Sequence, residues 1–475
     1  MIRHSYWFIF VILVLGCKEN NPQSDNGFED STAQELTIFF VNDPHGQIDN
    51  FAKVKALVDA ERNEGNTLLL CGGDIFSGNP IVDQHVEKGS PMIDLMNRSG
   101  FNASVIGNHE FDYGPEVLKE RMAQAEFEWV CANIDVQDSG LIQPDDYVTF
   151  EVGSLKITVL GLVETGGKPD GVIPSSHPWR VADFSFQHFY DIVGEFSDLK
   201  TTEDADMYIA LTHLGSSSDR YLAENFPYFD LIIGGHSHQI INEEVSGIPI
   251  VQSGSYLANL GRIDLTIENK TVVEYEVSFI SLADEQPIDE DLQSIISSYN
   301  EAPDLDEVVG FSAVDHTGTE TGCFYTDALR DYMQVDFSIQ NGGGVRSTID
   351  KGDITRLEIF EVAPFNNGSV VFIKSVAEIK EFLIGTGDGF HMSGITVNGE
   401  CEGLCIYDAA GVELEDDVML TLGMNDYIAA VYDSYFALED AEVRELTTAE
   451  SILAYLKSYE GTIDYDGCNQ YQSAD

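Results

Sequence analysis

From residue 35 onward the chain keeps a rhythm of short apolar runs that end in polar, glycine-bearing loops. The runs cover 36–41, 67–70, 103–106, 155–162, 207–211, 231–233 and 248–251, and their length and β-prone composition predict strands. Stretches with apolar residues at helical spacing lie between several of them, at 51–62, 91–96 and 115–125. Strands alternating with helices predict a layered α/β body, in which ligands gather beyond the carboxyl ends of the strands. An amphipathic helix is expected over 287–300, then a junction at Glu301-Ala302-Pro303, then a second α/β segment from about 308 to 475. No internal repeat, low-complexity tract or heptad pattern interrupts this order.

Length agrees with that division, since 475 residues exceed what one hydrophobic core commonly serves. Charge adds an exclusion. The chain carries 82 acidic and 24 basic residues, a formal net charge of −58. Such a field repels nucleic-acid backbones and anionic lipid headgroups, so no nucleic-acid polymer is expected as a partner. Most of the acidity reads as solvated surface; a few carboxylates remain available to hold divalent cations.

The first residues point to export. Arg3 and His4 precede an apolar run over 6–15, too short to span a bilayer and shaped like a signal-peptide core. Leu13-Val14-Leu15-Gly16-Cys17 resembles a bacterial lipobox, which implies a lipid on Cys17 as the new N-terminus; a plain secretory signal cleaved nearby is the alternative. Residues 18–32 are polar and read as a tether. The expected location is therefore periplasmic or at the cell surface, with the membrane reached through the lipid alone. Cys71 lies in a buried-looking strand and reads as a free core thiol. Among the other cysteines, Cys401 and Cys405 are close enough to pair across a turn and Cys323 could reach Cys468, while connectivity stays open.

Candidate chemistry sits just past the strands. The run 36–41 leads into Asn42-Asp43-Pro44-His45-Gly46, and 67–70 into Gly72-Gly73-Asp74. The run 103–106 leads into Gly107-Asn108-His109-Glu110-Phe111-Asp112, 207–211 into Thr212-His213, and 231–233 into Gly234-Gly235-His236-Ser237-His238. These are oxygen and nitrogen donors of the kind that borderline divalent metals take. Each piece alone is weak, because Gly-Asp is a common turn and a histidine after a strand is usually solvated. Five of the eleven histidines fall in this ordered set, and unrelated placement would scatter them.

These motifs resemble the calcineurin-like metallophosphatase signature, and Asn-Asp-x-His-Gly with Gly-Asn-His-Glu-Phe-Asp resembles its 5′-nucleotidase branch, over about 35–265. The resemblance implies a four-layer αββα sandwich with two divalent metal ions (Mn, Zn, Co or Mg) at the strand ends. Asp43, His45 and His238 would hold the first metal, Asn108, His213 and His236 the second, and Asp74 would bridge them. Two such ions clamp phosphoryl oxygens and activate water. His109 would act as transition-state stabiliser or general acid, with Asp112 orienting its ring.

The later segment resembles the family's C-terminal domain. Asn341-Gly342-Gly343-Gly344-Val345-Arg346, Gly352-Asp353-Ile354-Thr355 and Pro364-Phe365-Asn366-Asn367 follow in the family's order. By that resemblance Asn341, Gly343 and Arg346 would meet the sugar and phosphate side of a substrate, and Phe365 and Tyr435 would wall a base-stacking slot. Two departures are visible. The glycines that usually follow Asn425-Asp426-Tyr427 are replaced by 430–435, and Glu320-Thr321-Gly322-Cys323-Phe324 carries Cys323 where the family has asparagine, without the arginine often found just upstream.

The expected division is a signal peptide over 1–16, lipidated cysteine and tether over 17–33, the metallophosphatase domain over 34–285, a linker helix over 286–305 and a separate α/β substrate-recognition domain over 306–475. The expected activity is metal-dependent hydrolysis of a small phosphate ester, a nucleoside 5′-monophosphate first. A 2′,3′-cyclic-nucleotide phosphodiesterase/3′-nucleotidase, a nucleotide-sugar hydrolase and a non-catalytic nucleotide-binding lipoprotein stand as alternatives. Metal identity, preferred base and oligomeric state are not legible.

Overall fold

In the strand Gln34–Val41 every residue from Leu36 on is buried. Successive side chains point to opposite faces, so Phe39 enters one core and Phe40 another. A strand covered on both faces has little room for polar side chains, which is why the run is apolar apart from Thr37, whose Oγ1 donates to Asp264 Oδ1 at 2.7 Å. A computed structural model describes residues 33–474 apart from Asp138, Glu285, Pro303, Glu402 and Glu460. The signal peptide, Cys17 and the tether lie outside these residues, as does the Cys401 side chain of the expected Cys401–Cys405 pair.

Gln34–Val41 pairs in parallel with Thr67–Cys71, which pairs with Ala103–Val105 and that with Glu128–Val130. On its other side run the antiparallel strands Asn259–Glu268 and Thr271–Ser281. A second sheet has the order Ile240–Val245, Ile248–Ser253, Leu231–Ile233, Met207–His213, Leu155–Val163 and Tyr147–Val152. The two sheets meet across Ile38, Phe40 and Leu70 on one side and Val159, Ile209 and Leu211 on the other. Each such fully buried side chain contributes on the order of 1.5–3 kcal/mol. Helices Phe51–Arg62, Ser90–Ser99, Pro115–Gln124 and Glu290–Tyr299 cover the outer face of the first sheet. Helix Ser216–Asn225 and the turns around Val193 and Leu199 cover the second. The layering is the expected αββα sandwich.

The hairpin Asn259–Glu268 and Thr271–Ser281 was not among the expected strands. Its signal is the alternation of apolar and polar positions over 259–281 about Asn269-Lys270, both of which are left-handed at φ 50° and 63°, as a tight two-residue hairpin turn requires.

The C-terminal half is a second, separate layered body. Its sheet has the order Glu442–Thr447, Gly368–Ser375, Met419–Asn425, Phe337–Asn341, Phe390–Ser393 and Tyr471–Gln472. Helices Gly318–Met333 and Thr448–Ser458 pack on one face through Phe324, Leu329 and Ile452. Helices Val376–Thr386 and Asp426–Val431 pack on the other through Phe382 and Ile428. The altered Glu320–Phe324 segment is put to structural use. Glu320 closes a capping box with Thr317 and accepts the Gly467 N–H at 2.7 Å. Cys323 is disulfide-bonded to Cys468, which ties this helix to the C-terminal tail. Cys71 and Cys131 are free, buried thiols.

Candidate metal centre and active site

The seven expected donors arrive from both sheets at their carboxyl ends. Five of them, Asp43, His45, Asp74, His236 and His238, have left-handed backbones with φ from 46° to 73°. Such conformations cost on the order of 1–3 kcal/mol each and collect where a site over-determines them. Two glycines allow the loops to close: a Cβ on Gly107 would stand 2.3 Å from Asp74 Oδ1, and one on Gly235 would stand 2.3 Å from the Gly72 carbonyl.

Two of the four donor imidazoles, His45 and His213, are oriented by a bond on the far side. His45 Nδ1 donates to the Ser77 carbonyl at 3.0 Å and His213 Nδ1 to the Gly72 carbonyl at 2.7 Å, so both Nε2 atoms face inward. His45 Nε2 lies 3.0 Å from His238 Nε2, and His238 Nε2 lies 3.3 Å from Asp43 Oδ1. His213 Nε2 lies 3.0 Å from Asp74 Oδ2 and 3.2 Å from Asn108 Oδ1, which His236 Nδ1 approaches to 2.9 Å. Asn108 presents its oxygen because its Nδ2 donates to the Ser175 carbonyl at 3.1 Å.

Asp43–His45–His238 and Asp74–His213–His236 each bring their ligand atoms within 4.8 Å of one another, and Asp74 also groups with His45 and His109. Burial opposes ionisation of Asp74, yet His213, His109 and His45 hold it well below the usual carboxylate range. Burial keeps the His45 ring neutral, with its pKa lowered to about 3. Two buried carboxylates side by side need positive charge, and inward-facing imidazole lone pairs beside them suit divalent cations better than protons. The donor set therefore fits metal ions.

Behind the donors lies a supporting layer. Glu110, fully buried, accepts the N–H groups of Asp74 at 3.0 Å, Ile75 at 2.6 Å and Gly107 at 2.5 Å, fixing two donor loops to each other. Asp219 accepts from Thr212 Oγ1 at 2.6 Å and Gln252 Nε2 at 3.0 Å. Gln252 Oε1 accepts from Ser237 Oγ at 2.7 Å, so the loops of His213 and His236 share one brace.

His109 stands at the edge of the cage, with Nδ1 2.6 Å from Asp112 Oδ2. Ser77 Oγ donates to the same oxygen. Burial disfavours a charged ring, but Asp112 and Asp74 outweigh it and raise the His109 pKa to about 9. The ring can thus hold a proton at neutral pH, with Nε2 on the side away from Asp112.

A cavity of about 430 Å³ opens over these groups, lined by Asp74, Asn108, His109, His236 and His238 from the first half and Asn341, Gly343, Arg346 and Phe365 from the second. Arg346 lies 5.6 Å from the Phe365 ring centre, and Phe365 stacks on His109 at 5.6 Å with 13° between the planes. Asn341 Oδ1 accepts from Asn425 Nδ2 at 3.1 Å.

Tyr435 does not join them. It lies in a separate outer pocket with Lys374, Glu378 and Phe382 and packs edge-on to Phe382 at 5.6 Å. Tyr427 lines the cavity in its place. The reason is helix direction: Tyr427 opens Asp426–Val431 at the strand's carboxyl end, and Tyr435 follows the helix and a turn that carry the chain away. Residues missed from sequence include Glu110, Arg180, Tyr256 and Tyr427. Glu110 stood inside a recognised motif with no role given, whereas Arg180, which lines the cavity and donates from Nη2 to the Phe365 carbonyl at 3.1 Å, ends the single 3-10 turn Pro178–Arg180, too short for any periodic pattern to mark.

Comparison with known proteins agrees with this geometry. The profile described as calcineurin-like phosphoesterase matches residues 36–240, and that described as 5′-nucleotidase, C-terminal domain, matches residues 304–440. The chain belongs to the 5′-nucleotidase family of calcineurin-like phosphoesterases. It is 30% identical over 412 residues to the trifunctional nucleotide phosphoesterase protein YfkN of Bacillus subtilis, covering 74% of this chain and 27% of that protein. The chain thus spans about a quarter of YfkN's length. It is 28% identical to protein UshA of Yersinia enterocolitica, covering 75% of this chain and 77% of UshA. A 5′-nucleotidase precursor from Thermus thermophilus shares the fold of this family member at a TM-score of 0.76 and 23% identity, over 89% of this chain and 96% of that one.

Proposed function

We propose that this family member hydrolyses small phosphate esters with two divalent metal ions, nucleoside 5′-monophosphates foremost, outside the cytoplasm. The observation that carries the reading is the shared cavity, where the metal donors, the His109–Asp112 pair and Arg346 of the second half meet. Asp43, His45, His238 and Asp74 would hold one ion, and Asp74, Asn108, His213 and His236 the other. When bound, the ions supply Lewis acidity toward phosphoryl oxygens and an activated water.

The remaining work falls to side chains. Asp112 holds the Nδ1 proton of His109, so Nε2 can deliver a proton to the leaving oxygen. Arg346 offers a guanidinium fork to phosphoryl oxygens. Phe365 and Tyr427 bound the space for the leaving nucleoside, and Asn341 and Gly343 the sugar side. The proposed division runs over 34–285, 286–305 and 306–475. Among the described residues no helix is long and apolar enough to cross a membrane; the run before Gly16-Cys17 supports export and a lipid anchor on Cys17.

Incubation with a chelator is expected to abolish hydrolysis of AMP and of an aryl phosphate, with activity returning on addition of Mn²⁺, Zn²⁺ or Co²⁺. Metal-free protein that still turns over would end the two-metal reading. A panel with 2′,3′-cyclic AMP and UDP-glucose ranks the alternative substrates by kcat/KM. Phe365→Ala is expected to raise KM for AMP by about tenfold, the equivalent of a lost base stack, and to change KM for the aryl phosphate far less. Equal rises for both substrates would assign Phe365 to packing.

A further inference from the structure

Tyr256 sits in the loop between strands Ile248–Ser253 and Asn259–Glu268. It is 41% exposed, yet it and Leu257 both hold left-handed backbones, at φ 55° and 49°. A tyrosine that stays this exposed gains little burial from such a conformation, so the turn serves to aim the side chain. The Tyr256 N–H donates to the Asp43 carbonyl at 2.7 Å. The ring lies 5.2 Å from the His45 ring and 5.6 Å from the His238 ring. Its hydroxyl reaches the second half of the chain, where Arg346 Nη2 donates to it at 3.3 Å.

We propose that Tyr256 is a positioning residue for Arg346, setting the guanidinium over the phosphoryl group from the side of the first metal's histidines. This rests on the reading of Arg346 as the phosphate-side contact. The Arg346 backbone N–H is fixed by the Val362 carbonyl at 3.1 Å, but its guanidinium rides on a flexible three-methylene stem with many rotamers. The Phe365 face at 5.6 Å attracts the cation without fixing the direction of its N–H groups. The Tyr256 hydroxyl supplies the directional contact, leaving other guanidinium N–H groups for a phosphate fork. Because the same ring rests on His45 and His238, the arginine is registered to the metal cage and not only to its own domain.

The test is a double-mutant cycle on kcat/KM with AMP and with p-nitrophenyl phosphate, metal content being followed by elemental analysis. Tyr256→Phe keeps the ring against the histidines and removes only the oxygen; it is expected to lower kcat/KM about fivefold, the scale of one net hydrogen bond, equally for both substrates and at unchanged metal content. Arg346→Ala is expected to cost about 10- to 100-fold. The double variant should match Arg346→Ala within about twofold, since contacting residues are not additive. Loss in Arg346→Ala with none in Tyr256→Phe overturns the inference, as does a full fivefold further loss in the double variant. An Arg346→Ala enzyme as fast as wild type overturns the phosphate-side reading of Arg346 itself, and the inference with it.

Discussion

Asp74→Asn is expected to lower kcat by at least about a thousandfold, the upper range seen when one preorganised electrostatic contact to a reacting centre is removed. Asp74 is 1% exposed and its Oδ2 lies 3.0 Å from His213, 3.9 Å from His45 and 4.0 Å from His109. The other oxygen accepts the His109 backbone N–H at 2.8 Å. Asp43, 3.3 Å from His238, comes only to 4.0 Å from His213, so Asp74 approaches the second donor group more closely. An amide keeps the volume but loses the charge and turns one acceptor into a donor facing imidazole nitrogens. Steady-state rates beside elemental analysis check this. A variant within tenfold of wild type that still holds two equivalents of metal would remove Asp74 from its bridging place.

His109→Ala is expected to cost about 10²–10⁴-fold in kcat with AMP, the usual scale of general acid catalysis, with metal content retained. Retention follows from geometry: the His109 side chain is braced by Asp112 and Ser77, and its backbone N–H to Asp74 survives the substitution. Leaving groups distinguish its role. A ribose alkoxide needs a proton as it departs, whereas a nitrophenolate does not, so p-nitrophenyl phosphate should lose far less than AMP. Equal losses with both would make His109 a charge stabiliser and not a proton donor.

Much of the catalytic half was legible because its strands are buried on both faces and end in donors. Short, largely apolar β-prone runs such as 36–41 and 207–211 fit central strands, and the residues just past them are placed toward one edge of the sheets. Boundaries moved little: His213, read as a loop residue, is the last residue of Met207–His213. The second half was harder. Tyr435 and Tyr427 both follow the same strand, and only the direction of the short helix between them decides which faces the cavity. The departure at Cys323 from the family's asparagine gave no sign of its structural use, which is to join the C-terminal tail through Cys468. Tyr256 carries no periodic signal, since its orientation comes from two left-handed residues in a loop.

The donors span Asp43 to His238, those from Asp43 to Asn108 coming from the first sheet and those from His213 to His238 from the second. Neither sheet alone owns a complete set, so a half-formed molecule has at most scattered, low-affinity ligands. Loading with cations then has to follow the stacking of the two sheets, and any event that pries them apart releases the ions. Retained metal is in that sense a gauge of native assembly, independent of whether any substrate is present.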